Sequence, residues 1–283
     1  METDSDWEDE PYPLDIEYFD SLPEDIEVID VCGKGLTNLD VSRFKNLKIL
    51  FCSDNRLTSL QLNENLQDLY CVNNRLTSLH LNENLQHLYC GNNRLCSLHL
   101  NENLQHLYCA NNRLTSLQLN ENLKKISCVN NKFTSLHLNE KLEFLDCTFN
   151  KLTSLHLNAN LQELYCSYNQ LTSLQLNANL QVLCSSYNLL TSLQLNDNLQ
   201  RIGYNHTPIY EIIKSDEIDI INRKIRVLNQ FRYLYYCLKF KKRLRDILWV
   251  KIREPKIRIK YSHDYLVEHL HEDTDLDEFL ENW

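Results

Sequence analysis

Tyr70, Tyr89 and Tyr108 stand 19 residues apart, and two positions before them stand Asp68, His87 and His106. A tyrosine combines a large apolar ring with a polar tip, the make-up of a binding hot spot. Imidazoles beside it add hydrogen-bond donors and acceptors. If the interval brings these side chains onto one face, they form an aromatic patch suited to gripping a protein. Phe144 and Tyr165 fall in the same two columns further along the chain.

Other recurring residues invite different chemistry. Cys52, Cys71, Cys90, Cys109, Cys128, Cys147 and Cys166 repeat at the same interval. Thiols on parallel, in-register neighbours point the same way and suit a disulfide poorly, so they read as small apolar fillers. His80 with His99, and His137 with His156, are neighbours that could grip a metal. No carboxylate or thiol converges on either pair, so neither a metal site nor a cofactor is expected. Arg56, Arg75, Arg94, Arg113, Lys132 and Lys151 line one edge and Glu64, Glu83, Glu102, Glu121 and Glu140 another. Both rows read as solvated edges. No phosphate loop, paired acid and base, or nucleophile with a partner base is found in the array, so the expectation is a non-enzyme.

These columns exist because of a period. Leu47 and its equivalents run to Leu199 at intervals of 19 residues with no insertion. From Leu85, the unit continues through Leu88, Cys90, Leu95, Leu98 and Leu100. Two stretches of alternation, LxC and LxL, are separated by polar bends, which predicts two short strands per unit. A single unit buries too few side chains to fold alone, so stability must come from stacked neighbours. Asn55 and its equivalents through Asn188 recur at the bend after the first strand, where an amide can turn inward to satisfy backbone groups.

The unit LxxLxCxxNxLTSLxLNxN resembles the leucine-rich repeat, in its short class. The resemblance covers residues 26–209, about nine to ten coils. It implies a right-handed solenoid, mostly β with parallel sheets, followed here by an α-helical C-terminal region. It also implies that the first-strand sheet is a concave, ligand-reading face. Asp68, Tyr70, His87, Tyr89, His106, Tyr108, Phe144 and Tyr165 are carried over as its protein-binding residues.

The ends differ. Residues 1–25 form an acidic N-terminal segment, with SLPEDIE beginning a cap, and residues 210–283 a helical C-terminal cap and tail. Apolar residues from Ile221 to Leu248 fall at helical spacing, with Arg and Lys on the other face. The segment KKRLRDILWVKIREPKIRIKYSHDYLVEHLHEDTDLDEFLENW resembles a tail shared by many giant-virus proteins, which implies a viral protein of the host cytoplasm or the particle.

The net charge of −10 is unevenly placed: residues 222–260 hold 14 Lys or Arg against Asp246 and Glu254, while both termini are acidic. A chain that is 43% hydrophobic and 24% charged can fold. METDSDWEDEPYPLD has neither the basic start nor the apolar core of a secretory signal, and no apolar run reaches the length of a membrane span. The expected protein is therefore intracellular and not membrane-bound; a monomer is expected, although no residue pattern argues for it. Its partner is a protein or peptide on the concave face.

Two rival readings come from other classes. A ubiquitin-ligase-type effector would use Cys237 as nucleophile, but the chain after the array is short for such a domain, and YLYYCLKF suggests burial. Nucleic-acid binding would use the basic segment 222–260, whose regular apolar positions and acidic flanks favour a cap instead.

Overall fold

The computed structural model describes residues 21–215 and 217–239. Each strand is three residues long with an apolar residue at its centre, and all but β2 and β4 begin a unit. The strands are β1 (Val28–Asp30), β2 (Asn38–Asp40), β3 (Ile49–Phe51), β4 (Ser59–Gln61), β5 (Asp68–Tyr70), β6 (His87–Tyr89), β7 (His106–Tyr108), β8 (Lys125–Ser127), β9 (Phe144–Asp146), β10 (Glu163–Tyr165), β11 (Val182–Cys184) and β12 (Arg201–Gly203). Ten of them form one sheet in the order β1-β3-β5-β6-β7-β8-β9-β10-β11-β12. Pairing is parallel, and Leu69 faces Leu88, which faces Leu107, so the period of the sequence is the register of the sheet.

Burial follows the alternation. Leu69, Leu88 and Leu107 are inaccessible, as are Cys71, Cys90 and Cys109 two positions on, while the residues between face outward. All seven column thiols are free and buried. Phe133 takes a leucine position without becoming exposed.

The bend after each strand has two parts. One residue takes a left-handed backbone, as Asn73, Asn92 and Asn111 do at φ 56, 52 and 55. Asparagine tolerates this region better than most side chains. The next residue turns its amide inward: Asn112 Nδ2 donates to the carbonyls of Cys90 at 3.0 Å and Cys109 at 3.1 Å, and its Oδ1 accepts from the Leu95 amide at 3.0 Å. One side chain thus ties neighbouring coils together. A second asparagine column closes the opposite bend, with Asn101 Nδ2 donating to the Leu85 carbonyl at 3.0 Å.

The predicted second strand forms only in part. Among the described residues LxL pairs as a strand in β2 with β4, and later as the single bridge Gln175 to Gln194. In the coil from Leu85, Ser97 and His99 are exposed, so water can satisfy this backbone and nothing forces it into a ladder.

The last coil changes its inward residues. Tyr204 stands in the cysteine column, fully buried, and its hydroxyl donates to the Ser215 carbonyl at 2.7 Å. Thr207 replaces the inward asparagine and caps helix α1 (Pro208–Ile213), accepting from the Tyr210 amide at 3.2 Å. Helix α2 (Ile218–Lys239) follows. Ile209, Ile213, Ile221 and Ile225 are buried, as the helical spacing requires. The Cys237 thiol and residues 240–260 of the basic segment lie outside the described residues, as do the acidic residues 1–20 and the tail.

Candidate protein-binding face

The outward residues of β3 and β5 to β12 form two columns on the outer face of the ten-stranded sheet. In one column the rings of Phe51, Tyr70, Tyr89 and Tyr108 stack, with centroids 4.6, 4.5 and 4.6 Å apart. Strand spacing alone produces this, because parallel in-register neighbours about 4.8 Å apart place like side chains at ring-stacking distance. All three tyrosines are half-buried against one another. Burial, followed by the neighbouring Tyr70 and Tyr108, pushes the Tyr89 hydroxyl up, so it stays a neutral donor.

The other column carries the charge. His87 Nδ1 pairs closely with Asp68 Oδ1, and the His87 and His106 rings lie 4.7 Å apart. Burial holds the His106 imidazole below the usual histidine range, with His87 and Lys125 adding to the effect. Asp68 with His87 has the make-up of a general base. Among the described residues the partner shown for the His87 ring nitrogen is Asp68, which fixes the ring's orientation.

Of the eight residues expected at the site, Asp68, Tyr70, His87, Tyr89, His106 and Tyr108 are brought together. Phe144 and Tyr165 are not part of that patch. Lys125 and Ser127 of β8 intervene, and the two rings form a separate tilted pair 5.8 Å apart. Tyr165 donates to Glu163 Oε2 at 3.3 Å, and burial, then Glu163, pushes its hydroxyl up.

A second aromatic row went unrecognised in the sequence. Phe149, Tyr168, Tyr187 and His206 stack at 4.1, 4.2 and 4.1 Å on the outer bend. The signal was available: the column reads Asp54, Asn73, Asn92, Asn111 and Asn130 before it turns aromatic.

A parallel sheet built from one three-residue strand per coil is similar to solved structures. YopM from Yersinia enterocolitica is 25% identical, with a TM-score of 0.56 over 66% of this chain and 48% of that one. The chain has the leucine-rich-repeat fold. Two further leucine-rich-repeat structures share the fold: a protein of Leptospira interrogans at 24% identity and TM-score 0.52, over 59% of this chain and 51% of that one, and the repeat domain of APL1B at 23% and 0.53, over 58% and 56%. This chain spans about half the length of the structures it matches. No family model and no curated protein matches it. Among the described residues, no helix is long and apolar enough to cross a membrane.

Proposed function

We propose that this leucine-rich-repeat chain is a non-catalytic scaffold that binds a protein or peptide through the outer face of its ten-stranded sheet. The observation that carries the reading is the stack of half-exposed tyrosines beside the Asp68, His87 and His106 column. Rings fixed by their neighbours lose little side-chain freedom on binding, which favours them as anchors. Phe144 and Tyr165 supply a second, smaller contact on the same face. The resemblance of the tail to giant-virus proteins supports reading the scaffold as a viral adaptor of the host cytoplasm or the particle, and the proposed form is a monomer.

The test is Tyr70→Ser, Tyr89→Ser and Tyr108→Ser combined. Serine already stands in this column at Ser127, so the sheet accommodates it. Full-length parent and variant are used for affinity capture from infected cells. The expected result is a folded variant that loses a partner captured by the parent, with affinity reduced about 30-fold or more, the scale of a hot spot. Capture of the same partners at the same affinity refutes the reading.

A further inference from the structure

The bend that follows each strand carries two exposed columns, one on each side of the inward asparagine. The column after it holds Arg56, Arg75, Arg94, Arg113, Lys132 and Lys151, all exposed. Among the described residues none of these six cations has an ion-pair or hydrogen-bond partner for its side chain. Among the described residues the ion pairs Lys45 with Glu64, Lys48 with Glu27 and His87 with Asp68 lie elsewhere. Cations in register at strand spacing repel one another, and among the described residues no ion pair offsets this row.

The column before the asparagine changes character along the chain. Its early members form an amide ladder: Asn73 Nδ2 donates to Asp54 Oδ1 at 2.6 Å and Asn92 Nδ2 to Asn73 Oδ1 at 2.6 Å. All its members from Asp54 to His206 keep φ between 51 and 58. Asp and Asn suit that backbone. Phe149, Tyr168 and Tyr187 do not, because a bulky side chain in the left-handed region is strained. They are also 48, 40 and 42% exposed, and Leu189 beside Tyr187 is 53% exposed. The fold does not need these rings here, since the earlier coils close the same bend with amides.

The two columns change over at one bend. The cations end at Lys151 and the rings begin at Phe149, with Gln170 and Leu189 following in the cation column. The result is one strip, cationic along its first part and aromatic along its last. We propose that this strip, on a different face from the tyrosine sheet, docks an extended acidic polypeptide segment with apolar side chains at one end.

Guanidinium groups pair with carboxylates in a planar, two-bonded geometry. The ring faces in the aromatic row are closed by stacking, so the row offers ring edges, which are electropositive and receive carbonyl oxygens or a partner ring face. Single-stranded nucleic acid would need open ring faces for its bases. At about 4.8 Å per coil the six cations span roughly 24 Å, and an extended peptide at about 3.3 Å per residue covers that with about seven residues.

The test uses the full chain and three fluorescent probes. These are a peptide of about eight glutamates followed by about three leucines, an all-glutamate peptide of equal length, and an oligouridine of about ten nucleotides. The mixed peptide is expected to bind about tenfold more tightly than the acidic one, and both to weaken as salt rises. Arg75→Gln, Arg94→Gln and Arg113→Gln together, which copy the native Gln170 of that column, should abolish binding of both peptides. Phe149→Asn, Tyr168→Asn and Tyr187→Asn together should erase the advantage of the mixed peptide while the protein melts at or above the parent temperature. The serine variant of the sheet should bind both peptides normally, which separates this strip from the proposed function. Three results overturn the proposal: neither peptide bound at low salt, the tenfold advantage kept by the asparagine variant, or oligouridine bound more tightly than the mixed peptide.

Discussion

Replacing Asn112 with alanine tests the device that holds the coils together. The amide of Leu95 donates to Asn112 Oδ1 at 3.0 Å and has no second acceptor, so Asn112→Ala leaves a buried donor unpaired. That costs about 1 to 3 kcal/mol. On the donor side the losses are partly covered. The Cys90 carbonyl keeps Asn93 at 3.2 Å, the Cys109 carbonyl keeps Asn131 at 3.0 Å, and the Ala110 carbonyl keeps the Asn92 amide at 2.8 Å. What disappears there is about two net hydrogen bonds, roughly 0.5 to 1.5 kcal/mol each. The expected destabilisation is therefore about 4 kcal/mol, against less than about 0.5 kcal/mol for the exposed control Thr115→Ala. Urea unfolding followed by circular dichroism measures the total. Amide hydrogen exchange locates it, because a repeat array can open locally: Leu95 should lose protection while Leu76, held by Asn93 Oδ1 at 2.9 Å, keeps it. A cost below about 1 kcal/mol, or a Leu95 amide protected as in the parent, would refute the reasoning.

The buried thiols give a pH prediction. Burial pushes Cys109 up to about 12, and Cys71, Cys90, Cys128 and Cys147 shift the same way. An unfolded thiol ionises near about 8.5, so between that value and about 12 the folded chain holds more protons. The stability contributed by these thiols is thus complete below about 8.5 and falls as pH rises above it. Melting temperatures that stay flat from about pH 8 to about 10.5 would contradict this. Labelling with a thiol reagent on the native protein should modify the exposed Cys96 and spare Cys71, Cys90 and Cys109 until urea is added; mass spectrometry of peptides reads the pattern. At the end of the array, Tyr204→Phe should cost about 1 kcal/mol by removing the bond to the Ser215 carbonyl, whereas Tyr204→Ala should cost about 3 to 5 kcal/mol by opening a cavity beneath α1. Calorimetry on the two variants distinguishes them. The His106 imidazole, held neutral by burial, should titrate below an unfolded histidine in an NMR pH series, and its contribution to stability should disappear as pH falls.

Much of this was legible because a repeat turns one-dimensional spacing into three-dimensional neighbourhood. Residues 19 apart in the chain become adjacent across a strand pair, so the stack of Tyr70, Tyr89 and Tyr108 could be read from their spacing. The inward asparagines and thiols were legible for the same reason, since the alternation assigns each column a side. Phe144 and Tyr165 fall in the same columns, but how near they stand to the tyrosine stack was not legible from spacing alone, because the intervening β8 carries Lys125 and Ser127 and proximity depends on every coil between.

The sequence by itself determined the period, the parallel register, the buried columns and the helical end, because each follows from apolar spacing and from the limited directions a side chain can take. Tertiary structure alone decided which side-chain columns are strained, which are exposed and which pair. The left-handed backbone at Phe149, Tyr168 and Tyr187 has no marker in those residue types. It is imposed by the strand before the bend and the inward asparagine after it, and only where both are fixed does an ordinary tyrosine become an exposed, strained one.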